Sequence, residues 1–144
     1  MTTYRGSCHC GRVAFEVDGM LSGAMSCNCS ICQRKGSLLW FVPRTSLRLL
    51  TPDADASTYE FNKHVIRHRF CPVCGIHPFG EGTDPKGNEM AAVNIRCLES
   101  IDLAGVPVKH FDGGMHISQR NRYKYGRAAI ICIGEGIGIG TCTP

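Results

Sequence analysis

Seven of the ten cysteines in this 144-residue chain fall into three tight groups. Cys27-Asn28-Cys29-Ser30-Ile31-Cys32 is a CxCxxC triple, Cys8 and Cys10 form a CxC pair before it, and Cys71 and Cys74 form a CxxC pair after it. Thiolates crowded this closely repel one another unless they share a cation, and zinc suits sulfur, binding it tetrahedrally at about 2.3 Å. Ligand counting then separates two roles. The two pairs together offer four ligands, which closes a structural site, whereas the triple offers three and leaves a fourth position for water or substrate. The expectation is two zinc ions per chain, a structural one on Cys8, Cys10, Cys71 and Cys74 and a catalytic one on Cys27, Cys29 and Cys32. A second closed site, completed by a distant ligand such as Cys97, is the competing assignment for the triple. Disulfide exchange competes at the CxxC, but thioredoxin-like motifs sit in a βαβ context that the chain lacks.

Composition narrows the setting. The chain is long enough for one domain with its own core. It is 43% apolar and 19% charged, an ordinary globular balance, yet its cysteine content approaches that of disulfide scaffolds. MTTYRGSCHCG, residues 1–11, contains no apolar run fit for a signal-peptide core, so a cytoplasmic protein with metal-binding thiols is expected rather than a disulfide framework. Residues 1–112 carry 12 basic and 11 acidic side chains, and residues 113–144 carry four and one. A near-neutral core argues against a phosphate-backbone partner. No apolar run approaches the length of a membrane span. A homo-oligomer is left open.

The elements that must position these thiols read as short strands. Arg12 to Val17 alternates, with Val13, Phe15 and Val17 on one face. Residues 27–32 read as a loop, and Gly36 to Val42 as a buried strand holding Trp40. Leu47 to Leu50, Thr58 to Phe61, Val65 to Phe70, Ile76 to Phe79 and Glu89 to Ile95 read as further strands, with Val106 to Phe111 closing the domain. Val65, Arg67 and Arg69 share one face of their strand. In CPVCG, Gly75 lets the backbone turn with positive φ under a metal. Leu98 to Leu103 suggests a short helical turn, with Ser100 or Asp102 as its cap. No helical period lasts a dozen residues, so the class is mostly β with metal knuckles at the loops. Residues 1–112 form the expected zinc-binding domain. Residues 113–144 hold seven of the 17 glycines and read as a Gly-rich C-terminal extension. Its Cys132 and Cys142 have no clustered partners.

Assembled, these segments resemble the glutathione-dependent formaldehyde-activating enzyme family, whose members share the Mss4-like fold. The match rests on GSCHCGRVAFEV (6–17), SCNCSICQRKG (26–36), FNKHVIRHRFCPVCGIHPF (61–79), VNIRCLESIDL (93–103) and VKHFDG (108–113). It implies a zinc-containing Mss4-like fold of short antiparallel strands. It also implies a carbon–sulfur lyase or synthase that combines the glutathione thiol with formaldehyde to S-hydroxymethylglutathione. The same cysteine assignment follows from the resemblance as from counting. Family members usually stop soon after the equivalent of His110-Phe111-Asp112-Gly113, whereas this chain continues for 31 residues.

A Cys₃ zinc that takes up a substrate thiolate becomes strongly negative, so nearby cations or donors are expected, and Arg34, Lys35, His68 and Arg96 are the candidates. Arg34, His68 and Arg96 are the candidate substrate-binding residues. His77 is expected behind the structural zinc, and His9 at the surface. The alternative function is a non-enzymatic zinc module for protein or nucleic-acid partners, with Arg67, Arg69, Arg120, Arg122 and Lys124 as its basic patch. A thiol-rich metal or redox buffer is a third reading.

Overall fold

The computed structural model describes residues 1–114, so the readings of Arg120, Arg122, Lys124, Cys132, Cys142 and the rest of 115–144 lie outside the described residues. The fold is mostly β. Strands β1 (Thr2–Ser7), β2 (Ala14–Gly19) and β5 (Leu47–Leu49) make an antiparallel three-stranded sheet in the order β1-β2-β5. The seven-stranded sheet runs β10-β3-β4-β9-β8-β7-β6. Its members are β3 (Ala24–Cys27), β4 (Leu39–Pro43), β6 (Ser57–Tyr59), β7 (Arg67–Phe70), β8 (Phe79–Thr83), β9 (Glu89–Asn94) and β10 (Val108–Phe111). All its pairs are antiparallel except β10 with β3, which puts Phe111 beside Cys27.

Alternation explains the core. Val13, Phe15 and Val17 are fully buried, and Phe15 meets Phe79 edge-on with ring centroids 5.7 Å apart. Each such aromatic or branched side chain contributes about 2–3 kcal/mol by leaving water. Trp40 and Val42 point inward from β4 while Phe41 points out, and Tyr4 of β1 meets Trp40 edge-on.

Several local features differ from the sequence reading. The stretch 27–32 is not all loop: Cys27 ends β3, and Cys32 opens a single helical turn, α1 (Cys32–Lys35). Gly36 ends that turn at φ 63°, with its N–H donating to Cys32 O. Residues 76–78 are not strand, because Ile76 O is taken by Cys71 N–H in the knuckle and Pro78 has no N–H to give a ladder. The helical turn near residue 100 falls at Leu103–Gly105, with Asp102 accepting from Ala104 N–H. Arg69 shares a face with Arg67 but is only 4% exposed, since it pairs with Asp53 and with Glu81.

Candidate functional site

Two thiol groups assemble from separate elements. Cys8 follows β1 directly and Cys10 sits in the turn after it, a turn closed by Cys8 N–H to Val13 O and Gly11 N–H to Cys8 O. Cys71 follows β7, and Gly75, at φ 74°, donates its N–H to Cys71 O, so the chain doubles back and Cys74 faces Cys71. The four sulfurs lie within 4.8 Å of one another. Cys8 Sγ to Cys10 Sγ is 3.7 Å and Cys10 Sγ to Cys71 Sγ is 3.6 Å. A tetrahedron with zinc–sulfur bonds of about 2.3 Å has sulfur–sulfur edges of about 3.8 Å, so this donor set fits zinc.

Cys27, Cys29 and Cys32 form the second group, their sulfurs also within 4.8 Å of one another. Among the described residues no fourth His, Cys, Asp or Glu atom joins them. Cys97 is not the missing ligand: it lies by the first group, where burial, then the charges of Cys8 and Cys74, push its thiol up to about 11. The three clustered thiols cannot ionise together unaided. Burial, then the Cys29 thiol, pushes Cys32 up to about 12. Burial raises Cys29 too, but hydrogen bonds from the backbone N–H groups and thiols around it outweigh that and leave it lowered. Burial leads again at Cys27, which is raised. A divalent cation would remove this competition, so the triple also fits a soft metal such as zinc.

Cys27 and Cys32 border a cleft of about 510 Å³, together with Gln33, Arg96, His110 and Asp112. That volume suits a small-molecule ligand. Cys29 lies behind, against Gly113: a Cβ added at Gly113 would stand 2.6 Å from Cys27 Sγ and 2.9 Å from Cys29 Cβ. Asn28, between two of the thiols, ties this backbone strap down by donating to Asp112 Oδ1 at 2.9 Å and accepting from Gly114 N–H at 3.0 Å.

Of the residues read as substrate-binding, Arg96 borders the cleft, its Nε donating to Gly36 O at 3.0 Å. Arg34 is exposed and donates to Ser30 O. His68 is buried beside Lys35. His77 stacks on Phe70, and its Nδ1 is buried without a partner. Gln33, Asn28, His110 and Asp112 were not singled out as site residues from sequence. The signals available were the proximity of Asn28 and Gln33 to the triple and the VKHFDG segment, whose pairing with β3 only the fold reveals.

No helix among the described residues is long and apolar enough to cross a membrane. The family model for the glutathione-dependent formaldehyde-activating enzyme matches residues 3–111. A crystal structure of a Rhodobacter sphaeroides protein is similar over 73% of this chain and 99% of its own length, with 29% sequence identity and a TM-score of 0.63.

Proposed function

This chain belongs to the glutathione-dependent formaldehyde-activating enzyme family, and on that premise we propose that it is a zinc-dependent carbon–sulfur lyase or synthase of the cytoplasm. The reaction joins the glutathione thiol, or a related small thiol, to formaldehyde. A carbon–sulfur bond forms, the carbonyl π bond breaks, and the thiol proton ends on the former carbonyl oxygen, with no change of oxidation state overall. The observation that carries this reading is the triple itself, three clustered thiols at a cleft with no fourth protein ligand among the described residues.

Cys27, Cys29 and Cys32 would hold the reactive zinc and Cys8, Cys10, Cys71 and Cys74 the structural one. Zinc in a three-thiolate site supplies charge that favours the thiolate form of a bound thiol and polarises a carbonyl oxygen. Arg96 would orient the substrate: with its Nε engaged by Gly36, its two terminal nitrogens are the donors it has for a carboxylate, and glutathione carries two. His110, on the exposed edge strand bordering the cleft, would relay the thiol proton to the new hydroxyl. The strap at Gly113 closes the rear of the triple, so substrate approaches past Cys27 and Cys32.

The test is exchange NMR on formaldehyde, glutathione and S-hydroxymethylglutathione at equilibrium, with and without zinc-loaded protein. Wild type should raise the exchange rate above the spontaneous one and Cys29→Ser should not, while keeping its four-cysteine zinc. Equal rates for wild type and buffer would rule out this reaction for the chain.

A further inference from the structure

One group of titratable side chains lies outside the chemistry above. Lys35 ends α1, three residues beyond Cys32, and its Nζ is 3.4 Å from His68 Nδ1. An ammonium only donates, so His68 accepts at Nδ1 and carries its own proton on Nε2. The imidazole is 8% exposed and stacked on Phe61, ring centroids 5.4 Å apart and planes at 20°, so its lone pair has a fixed direction. Burial, then the Lys35 charge, holds His68 at about 4. The same two causes in the same order hold His77 at about 4. Both rings are therefore neutral at pH 7, and neither competes with Lys35 as a cation.

Nor, among the described residues, do Arg34 and Arg96 take its place. Arg34 is turned back onto Ser30 O, and Arg96 is anchored on Gly36 O. Burial pushes the Lys35 amine down, and the charges that pull it back up come from Cys32 and Cys29, with no carboxylate among them. A half-buried ammonium on the same helical turn as Cys32, anchored on a neutral histidine, is thus set beside the thiols of the triple.

We propose that Lys35, oriented by His68, is the counter-charge of the Cys27–Cys29–Cys32 metal centre, a positioning residue that strengthens its hold on a divalent cation and on a fourth, anionic sulfur. The inference rests on the reading that the triple binds metal. Three thiolates and one divalent cation carry a net charge of −1, and a substrate thiolate makes it −2. One positive charge on the helical turn that Cys32 opens, in a half-buried setting, offsets part of that, by an amount between the water-screened and interior limits.

The test uses the full chain loaded with zinc and a chromophoric chelator that competes for it. Lys35→Met should weaken the more labile zinc about tenfold, near the water-screened end of that range, and His68→Phe should weaken it in the same direction. Lys35→Arg keeps the charge and His68→Gln keeps an acceptor, so both should stay within about threefold of wild type on the same scale. Zinc held by the four-cysteine group should be unchanged in all four variants, which reports an intact fold. Cobalt(II) gives a second readout. Adding 2-mercaptoethanol to the cobalt-loaded protein should shift its thiolate-to-metal charge-transfer band, and Lys35→Met should need about tenfold more thiol for the same shift. Unchanged zinc retention and an unchanged thiol midpoint in Lys35→Met would overturn the proposal. Both readouts are independent of formaldehyde turnover, so a chain without catalysed exchange but with these shifts would lose the proposed reaction and keep this role for Lys35.

Discussion

At the scale of single residues, Gly113 is where a missing side chain matters most to the triple. The strap from Phe111 to Gly114 passes so close to Cys27 and Cys29 that any Cβ at Gly113 collides with the Cys27 sulfur. Gly113→Ala therefore displaces either the strap or two of the three thiols, and Asn28 resists the first through its bonds to Asp112 and Gly114. Moving reacting groups by an ångström typically costs about a hundredfold in rate. A loss of catalysed exchange of that order is expected, with zinc in the four-cysteine group retained, as measured by zinc-to-protein ratio beside the NMR rate. The clustering of the seven cysteines was legible from residue type and spacing. Gly113 was not, because it was read as the first residue of the Gly-rich extension. Its contact with Cys27 crosses 86 positions of the sequence (113 − 27) and exists only because β10 runs parallel to β3.

At the scale of elements, β7 exposes the limit of reading faces from alternation. The period correctly puts Arg67 and Arg69 on one side, and that side looks like an exposed basic face. Yet β7 lies between β6 and β8, and Glu81 of β8 draws in Arg67, Arg69 and Arg44 together. Period says which residues share a face, and only packing says whether another element covers it. The same limit hid β1, whose TTYRGS has one buried position in six, and shortened the strands beside the knuckle. Glu81 is only 4% exposed, so Glu81→Gln strips the countercharge from a buried arginine while keeping size and shape. Breaking one side of a buried ion pair typically destabilises by about 3–5 kcal/mol. Asp53 still holds Arg69, so the lower end of that range, about 3 kcal/mol, is expected. Urea unfolding of the zinc-loaded protein should show it as a lower midpoint at unchanged slope.

Over the whole molecule, the two thiol groups differ in depth as well as in ligand number, and depth decides how each metal would leave. Cys8 and Cys71 are 2% and 0% exposed and belong to the core that Phe15 and Phe79 fill, joining the end of β1 to the end of β7 across two sheets. The triple is half-buried at the edge of the larger sheet, two of its thiols facing a cleft. Counting predicted a group of four thiols and a group of three; it could not predict that the four join the two sheets while the three sit at a rim. Stripping metal from the four-cysteine group leaves its thiols competing for protons: hydrogen bonds from the backbone N–H groups of Ile76 and Cys10 lead in lowering Cys74 to about 6, whereas at Cys10 the backbone N–H of Arg12, which lowers it, is outweighed by desolvation and the thiols of Cys71, Cys8 and Cys74, which raise it to about 11. A chelator should therefore act in two phases. Zinc of the triple should leave first, quickly and reversibly, with little change in far-UV circular dichroism or tryptophan fluorescence. Zinc of the four-cysteine group should leave slowly and with loss of both signals, because its release and the opening of the core are one event. Cys29→Ser should abolish the first phase and leave the second, and Cys71→Ser should give a chain already lacking the signals of the second. A single phase in which both metals leave with the fold would mean that the triple, too, holds the sheets together, and that a site meant to exchange its fourth ligand is as structural as the other.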